Sequence, residues 1–307
     1  MSDIKIFRVV KSNVSELPGS SVALEKSLQS LLESNLETFL GVSFLATEYS
    51  TGKTHGGRID TLGIDENGCP VIIEYKRSQN ENVINQGLFY LDWLMDHKAE
   101  FKLLVMEKYD KKMAEGIEWS SPRLLCIAGD FTKYDEHAVQ QINRNIELIR
   151  YRKYGEELFL LELVNATTGQ EMEVEENVSG QKSGSVPQRY KRITETLDGI
   201  KGPLLDLYEE IKAYITALGD DVQIKTLKYY VAFKRIKNFA CMEVHPKSGK
   251  ILIYVKVDPS SITLEDGFTR DVRDVGHFGT GDLEIRISTQ DDFKKAMPLI
   301  EKSYEVS

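Results

Sequence analysis

The chain has 307 residues, enough for two domains or one large one, and its 41% hydrophobic and 28% charged content is typical of a globular protein with a substantial core. Three widely separated cysteines exclude a disulfide framework and a zinc site, and a net charge of −9 disfavours a non-specific nucleic-acid coat but not a local basic groove. The sequence has no run of about 18 apolar residues and no signal-peptide core, so we expect a cytoplasmic protein that does not enter a membrane.

The first 165 residues alternate helix and strand signals, which predicts one mixed α/β unit. The predicted strands cover about residues 4–10, 42–49, 58–64, 70–76, 122–128, 146–151 and 158–164. The predicted helices cover about residues 21–40, 82–97 and 135–144, with another inside 100–116. The sequence Phe-Lys-Leu-Leu-Val-Met-Glu-Lys-Tyr in that last range is compatible with a strand as well as with a helix.

The apolar stripe of the first predicted helix consists of Leu24, Leu28, Leu32, Leu36 and Phe39. At about 100° per residue, Glu25 falls inside this stripe, whereas Glu33 and Glu37 point away and are interpreted as solvated surface charges. A carboxylate on a buried face needs a cation or a hydrogen-bond donor, or its pKa shifts. Glu25 is therefore either a site residue or an acid that caps a backbone group.

Residues 58–76 are the most informative segment of the chain and predict a β-hairpin whose turn is Asp-Glu-Asn-Gly. If the pairing is symmetric about this turn, Ile64 faces Pro70 and Asp60 faces Glu74. Opposed residues on antiparallel strands have Cβ atoms roughly 5 Å apart, and like charges placed there repel.

Glu74 and Lys76 are two residues apart, so both project from the face that carries Asp60. Taken singly, each of the three would be interpreted as an exposed strand charge. As a set, two carboxylates between apolar strands are costly unless a cation lies between them. Two oxygen ligands and an ammonium suit a Mg²⁺ or Mn²⁺ ion that activates water at a phosphodiester, so the set predicts an active site.

The helix predicted at 82–97 carries a polar and aromatic line beside its apolar stripe. Gln86 and Tyr90 lie one turn apart on that line, where they could touch a substrate phosphate or a metal-bound water. Both are equally compatible with packing. Trp93 continues the line and is assigned to packing, because a large indole is usually buried.

After residue 165 a polar stretch rich in Gly, Ser and Glu predicts a linker that ends near residue 188. A second unit follows, and the sequence His-Pro-Lys-Ser-Gly-Lys inside it predicts a hairpin turn. Its predicted helices cover about residues 204–218 and 291–304. Its predicted strands cover about residues 226–234, 239–245, 251–257 and 283–288, with a long loop at 258–280.

The polar positions of the first unit occur in an order that resembles the PD-(D/E)XK nuclease superfamily, in particular its RecB-like branch and the archaeal and actinobacterial mismatch endonucleases. That pattern is an acid followed three residues later by Leu, then Asp, then Glu-x-Lys, then Gln-x-x-x-Tyr. The matching positions here are Glu25 with Leu28, Asp60, Glu74-Tyr75-Lys76, and Gln86 with Tyr90. Ile59 precedes Asp60 where the family name has Pro. The resemblance covers about residues 20–165.

The resemblance implies an α/β fold, with a restriction-endonuclease-like mixed central sheet flanked by helices, in residues 1–165. A linker at 166–188 would join it to a smaller α+β accessory domain at 189–307. This second unit resembles a small uncharacterised domain that is often attached to such nuclease modules.

The resemblance also implies roles for single residues. The implied ligands of Mg²⁺ or Mn²⁺ are Glu25, Asp60 and Glu74. Lys76 would polarise or deprotonate the attacking water, while Gln86 and Tyr90 would orient the site. Lys53 and Arg77 are candidates for phosphate contacts, although exposed basic residues beside any hairpin would look the same. The basic and apolar alternation at 144–153 fits a groove wall or a strand with one solvated face.

These observations lead to two hypotheses. The first is a metal-dependent endonuclease that acts on DNA, with the second unit supplying target selection or dimerisation, so that a homodimer is one expected state. The alternative is a catalytically inactive nuclease fold that serves as a nucleic-acid or protein interaction module. Metal binding with plasmid nicking, as opposed to DNA retention without cleavage, distinguishes the two.

Overall fold

The computed structural model describes residues 4–21, 25–76, 83–167, 169 and 192–307. The chain forms two compact units, Met1–Glu171 and Met172–Ser307. Their division falls inside the stretch predicted as a linker, 166–188, most of which lies outside the described residues, so the domain boundaries stay predictions. Across the described ranges, no helix combines the length and the apolar character that crossing a membrane requires.

Strands and short helices alternate along the first unit. Its strands are β1 (Ile6–Val10), β2 (Asn13–Leu17), β3 (Gly19–Ser20), β4 (Val42–Ser50), β5 (Arg58–Asp65), β6 (Pro70–Lys76), β7 (Arg123–Ala128), β8 (Asn145–Tyr154) and β9 (Leu158–Thr167). Its helices are α1 (Glu25–Glu33), α2 (Leu36–Leu40), α3 (Gly52–His55), α4 (Val83–Asp96), α5 (Lys98–Lys108), α6 (Lys111–Glu115) and α7 (Lys133–Gln140).

The main sheet of the first unit has the strand order β3-β8-β7-β6-β5-β4, and β9 pairs with β8. Strands β6, β7 and β8 run parallel to one another, whereas β4, β5 and β9 are antiparallel to their neighbours. Helix α1 packs against β5 and β6, and α4 packs against β6 and β7. The predicted mixed central sheet flanked by helices is therefore confirmed.

Close packing of α4 on the parallel strands builds the core of this unit. Strand β7 is buried along its whole length, as expected for the parallel part of a sheet. A Cβ atom at Gly87 would lie 2.4 Å from the Leu124 side chain, so a larger residue there would force the helix and the strand apart. Leu91, Leu94 and Phe101 extend the same apolar core along α4 and α5.

The single helix predicted at 21–40 is wrong, because α1 ends at Glu33 and α2 begins at Leu36. Asn35 interrupts the helix with φ −141°, and its side-chain amide donates to the Leu31 carbonyl at 3.1 Å. An apolar periodicity continued through such a break overstates the length of the helix.

Three other expectations for the first unit need adjustment. The segment that was compatible with helix or strand is helical and lies in α5. The helix predicted at 135–144 begins earlier, behind the cap residue Thr132, and ends at Gln140. The strand predicted at 4–10 is confirmed as β1, but it pairs with the unpredicted β2 in a separate two-stranded sheet.

The second unit is an antiparallel sheet with helices. Its strands are β10 (Gln223–Thr226), β11 (Val231–Lys234), β12 (Asn238–His245), β13 (Lys250–Val255), β14 (Thr269–Asp271) and β15 (Leu283–Ile287), in the order β10-β11-β12-β13-β15-β14. Its helices are α8 (Ile193–Gly199), α9 (Pro203–Thr216) and α10 (Gln290–Glu305), with a 3₁₀ turn at Pro259–Ser261. One face of the sheet packs with these helices around Phe233, Met242 and Phe293. The predicted α+β character is therefore confirmed.

One strand prediction in this unit is wrong. Residues 226–234 are the end of β10, a turn and β11, because Leu227 and Tyr230 close the turn through a backbone hydrogen bond of 2.9 Å. The apolar and aromatic run across Tyr229 and Tyr230 conceals that turn. Helix α8 and strand β14 have no counterpart among the predicted elements.

Candidate active site

The hairpin of β5 and β6 has the predicted register, with Ile64 opposite Pro70 and Thr61 opposite Ile73. Beyond that last pair, carboxylate oxygens accept the hydrogen bonds that link the two strands. The Asp60 N–H donates to Glu74 Oε1 at 3.2 Å, and the Tyr75 N–H donates to Asp60 Oδ2 at 3.0 Å. The two carboxylates therefore cross between the strands and lie together at the end of the hairpin that is away from the turn.

Burial makes this acid pair electrostatically expensive. Glu74 has no exposed surface, and its Oε2 atom has no hydrogen-bond partner among the described residues. Burial, followed by the negative charge of Asp60, raises the pKa of Glu74 from 4.5 to about 9. Burial also raises the pKa of Asp60, against a lowering effect of the Tyr75 N–H. The pair therefore needs a proton or a cation to be stable at neutral pH.

Lys76 is the neighbouring cation, and it bridges the hairpin to α1. Its Nζ atom lies 3.6 Å from Glu25 Oε1, and its positive charge opposes the raised pKa of both Asp60 and Glu74. The side chain of Lys76 is 14% exposed and that of Glu25 is 38% exposed. The interpretation of Glu25 as an acid on a buried helix face is therefore wrong, since Glu25 lies at the exposed first turn of α1 and pairs with Lys76.

The donor chemistry at this position suits a divalent cation of the Mg²⁺ type, which takes oxygen ligands and usually one or two carboxylates with several waters. Asp60 and Glu74 supply that minimum, and the buried Glu74 oxygen without a hydrogen-bond partner fits the role of a metal ligand. Among the described side chains, however, no three His, Cys, Asp or Glu groups lie close enough to hold a metal ion. Glu25 is thus directed to Lys76 and does not join Asp60 and Glu74 in a ready cluster.

Gln86 and Tyr90 support the start of β5. The Tyr90 hydroxyl accepts the Arg58 N–H at 3.1 Å and lies 3.4 Å from Gln86 Nε2. A Cβ atom at Gly57 would lie 2.5 Å from the Tyr90 ring, so the glycine permits this contact. These contacts hold the backbone two residues before Asp60. Trp93 is 1% exposed and packs in the core, which confirms its assignment to packing.

Gln29 is a residue of this region that the sequence interpretation missed. Its side chain is 3% exposed, and its Nε2 atom donates to the Asp60 carbonyl at 2.7 Å and to Glu33 Oε1 at 2.9 Å. Glu33 also accepts the Thr61 hydroxyl at 2.6 Å, so its interpretation as a solvated surface charge is wrong. The available signal was spacing, because Glu25, Gln29 and Glu33 recur every four residues and share one face of α1.

Only one of the two predicted phosphate-binding residues belongs to the part of the chain that the structure describes. Lys53 is exposed in α3. Arg77 lies outside the described residues. In the basic run at 144–153, Arg150 is 6% exposed and pairs with Asp130 and Glu162 at 3.0 and 2.8 Å. Because residues 145–151 are all buried, the interpretation as a strand with one solvated face is wrong, and the groove wall stays a prediction.

Comparison with known proteins gave three findings. The model of a domain of unknown function, DUF5655, matches residues 193–307. A solved structure described as "Structure of EndoMS-dsDNA2 complex" matches 48% of this chain and 65% of that chain, just under two thirds of its length, with 16% identity and a TM-score of 0.25. An "Uncharacterized protein" of Haemophilus influenzae is 30% identical over 308 residues, which cover 98% of this chain and 99% of that protein. The chain therefore belongs to the same family as this uncharacterized protein of Haemophilus influenzae.

Proposed function

We propose that the first unit is a Mg²⁺- or Mn²⁺-dependent endonuclease that hydrolyses phosphodiester bonds in DNA. The observation that carries the proposal is the crossed pair of Asp60 and Glu74, with an unpartnered buried Glu74 oxygen and the Lys76 cation beside it. A purely structural acid pair has no reason to leave a buried oxygen without a partner, because that costs stability.

Asp60 and Glu74 would hold the cation, with water or substrate oxygens completing its coordination. When bound, a divalent cation at such a site lowers the pKa of a water and offsets charge on the phosphate. The pKa of Glu74, which burial and the Asp60 charge raise, would be lowered there, since an opposite charge favours the ionised carboxylate.

Lys76 would orient the attacking water and donate to an oxygen that gains negative charge as the phosphodiester is attacked. Glu25 would keep this ammonium in place from the first turn of α1. Gln29 and Tyr90 would position the site without touching the substrate. Gln29 holds the backbone of Asp60 through a hydrogen bond of 2.7 Å, and Tyr90 holds the backbone of Arg58 through one of 3.1 Å. A site held on both sides in this way is suited to positioning two reacting groups.

The other parts of the proposal concern substrate contact. Lys53 and Arg77 would contribute phosphate contacts, and the second unit would serve target selection or formation of a homodimer. Every residue proposed to take part in catalysis belongs to the first unit.

A catalytically inactive nuclease fold that binds nucleic acid or protein is the second candidate. One observation favours it: within the described ranges, three metal-binding side chains do not come together. Loss of one ligand from such a site could leave a binding surface without cleavage.

Nicking of a supercoiled plasmid by the full chain with Mg²⁺, Mn²⁺ or EDTA tests the proposal. We expect nicking only with a divalent cation, and we expect Glu74→Gln to abolish both nicking and cation binding measured by calorimetry. Glu156→Gln is the matched control, because the Glu156 side chain is 91% exposed and distant in sequence from the hairpin. DNA retention without metal-dependent nicking would support the inactive module and contradict the endonuclease.

A further inference from the structure

Glu48 has an unusual backbone at the edge of the candidate site. It lies in β4 with φ 49°, in the left-handed region that a glutamate rarely adopts. Thr47 opposite Thr61 and Tyr49 opposite Ile59 continue the pairing of β4 with β5 on either side of this position. Strained backbone of this kind persists only where the surrounding structure enforces it, and it clusters at functional sites.

The carboxylate of Glu48 holds two cations that come from different elements. Its Oε1 atom lies 3.0 Å from Lys26 Nζ of α1, and its Oε2 atom lies 3.2 Å from Arg58 Nε of β5. We call these three residues the Glu48 fork. One carboxylate against two cations leaves the fork with a surplus of positive charge, in a chain whose net charge is −9.

The fork lies beside the acid pair. Arg58 and Asp60 are two residues apart on β5 and so project from the same face. Glu48 is near enough to Asp60 for its charge to contribute to the raised pKa of that carboxyl, after burial and other causes. The Tyr90 hydroxyl fixes the Arg58 backbone, while Lys26 also donates to Gln29 Oε1 at 3.1 Å.

The two cations are nevertheless open to solvent, since the side chains of Arg58 and Lys26 are 66% and 60% exposed. Exposed ion pairs contribute little to stability, so these pairs do not explain why Glu48 holds a strained conformation. A guanidinium and an ammonium held on one carboxylate present a fixed set of donors with phosphate-binding chemistry.

We propose that Lys26 and Arg58, oriented by Glu48, bind backbone phosphates of the nucleic acid next to the bond that Asp60 and Glu74 face. This inference rests on the proposed nuclease function and names the residues that seat its substrate. Phosphate contacts of this kind position the chain without reading base sequence.

The test measures binding of a fluorescein-labelled DNA duplex to the full chain by anisotropy, in Ca²⁺ and over a series of KCl concentrations. We expect Arg58→Gln and Lys26→Gln each to weaken binding for all duplex sequences alike and to reduce the slope of log K against log[KCl] by about one. Lys111→Gln is the matched control, because Lys111 is 78% exposed and paired with Glu115 at 3.5 Å, as an ordinary surface lysine. Cleavage of sub-saturating duplex in Mg²⁺ should slow in both variants and stay at the wild-type rate in Lys111→Gln.

The outcomes separate this inference from the proposed function. A wild-type chain that binds the duplex without cleaving it, with reduced slopes in both variants, would support the fork and contradict the endonuclease. Metal-dependent cleavage with slopes unchanged in both variants would overturn the fork and leave the endonuclease standing. A chain that binds no duplex at low salt with Ca²⁺ would overturn both.

Discussion

Two buried groups of charges lie at opposite ends of the same hairpin, and they differ in how well they are satisfied. At the turn end, Arg123 of β7 donates to Asp65 at 2.8 Å and to both oxygens of Glu147, at 2.8 and 2.9 Å. These three side chains are at most 3% exposed. At the other end, Glu74 is fully buried, Asp60 is partly buried, and one Glu74 oxygen has no partner among the described atoms.

The contrast distinguishes a structural charge cluster from a candidate site. Burial opposes the charge on Arg123, yet Glu147 and Asp65 together raise its pKa, so this guanidinium stays charged and both carboxylates of the turn-end cluster have it as a partner. Burial raises the pKa of Glu74 to about 9, which means that the open-end pair is incomplete without an added proton or cation. Buried charge is therefore informative about function only after its partners are counted.

The largest effect on stability is expected at the turn-end cluster. Arg123→Met should leave two buried carboxylates without a cation and lower the free energy of unfolding by about 3–5 kcal/mol. Urea unfolding followed by circular dichroism measures this, with Arg152→Met as the control because Arg152 is 36% exposed and lies 3.8 Å from Asp130. Equal stability of the two variants would mean that the turn-end cluster is not structural, and the comparison would fail.

The next effect concerns cleavage at the open end. Lys76→Ala should reduce the rate of plasmid nicking by about 100- to 1,000-fold, the range seen when a single charge-stabilising donor is removed. Cation binding should change little, because an ammonium is not a ligand for Mg²⁺, whereas Asp60→Ala should weaken binding and nicking together. Plasmid nicking assays, together with cation binding measured by calorimetry, test both expectations for the two variants. Wild-type nicking by Lys76→Ala would refute the role given to this lysine.

The metal-free protein should show the incomplete pair as a pH dependence of stability. The pKa of Glu74 rises on folding from 4.5 to about 9, so its contribution is fully present below pH 4.5 and is lost as the pH rises towards 9. In EDTA we therefore expect the Tm to fall between these values more steeply for the wild type than for Glu74→Gln. Scanning calorimetry over this pH range measures the difference.

Adding Mg²⁺ to the same two proteins gives a second test of the incomplete acid pair. Because it would favour the ionised Glu74, it should raise the Tm of the wild type at pH 8 and leave that of Glu74→Gln unchanged. Parallel pH profiles for the two proteins in EDTA would show that Glu74 is satisfied in solution and would remove the contrast with the turn-end cluster.

The smallest effect is expected from the residue that holds the start of β5. Tyr90→Phe removes the hydroxyl that accepts the Arg58 N–H and should cost about 1 kcal/mol of stability. Tyr109→Phe is the control, since its hydroxyl donates to the Phe44 carbonyl at an exposed position. The two variants are compared by urea unfolding. A smaller loss for Tyr90→Phe than for the control would mean that this hydroxyl does not support β5.

Local sequence patterns predicted the secondary structure and the strand register correctly wherever one short segment determines them. The turn residues at 65–68 and the alternation around them predicted the register of β5 with β6, and Ile64 does lie opposite Pro70. The periodicity at 82–97 predicted α4 to within a residue at each end. Strand β7 was predicted from a run of apolar residues bounded by turn signals.

The patterns failed where a distant segment decided the environment of a residue. Glu33 has the spacing of a surface charge, but the Thr61 hydroxyl from β5 gives it a partner. Arg123 begins a strand that was predicted from its apolar run, and its charge is accommodated there because Asp65 and Glu147 reach it from two other strands. Partners of this kind are separated by many residues in the chain, so periodicity can place a residue on one face of a helix but cannot identify the partner that it meets there.

The sequence by itself determined the hairpin and the mixed α/β character of the first unit, because both follow from turn chemistry and periodicity. It also indicated Asp60, Glu74 and Lys76 as a candidate set through their spacing on that hairpin. Only the tertiary structure decided how those residues meet. It placed the carboxylates of Asp60 and Glu74 on each other's strand, directed Glu25 to Lys76, and set Glu48 between Lys26 and Arg58. The physical reason is that the packing of α1 and β4 on this hairpin sets the distances between charges, and those distances decide which carboxylate keeps a partner and which one needs an added cation.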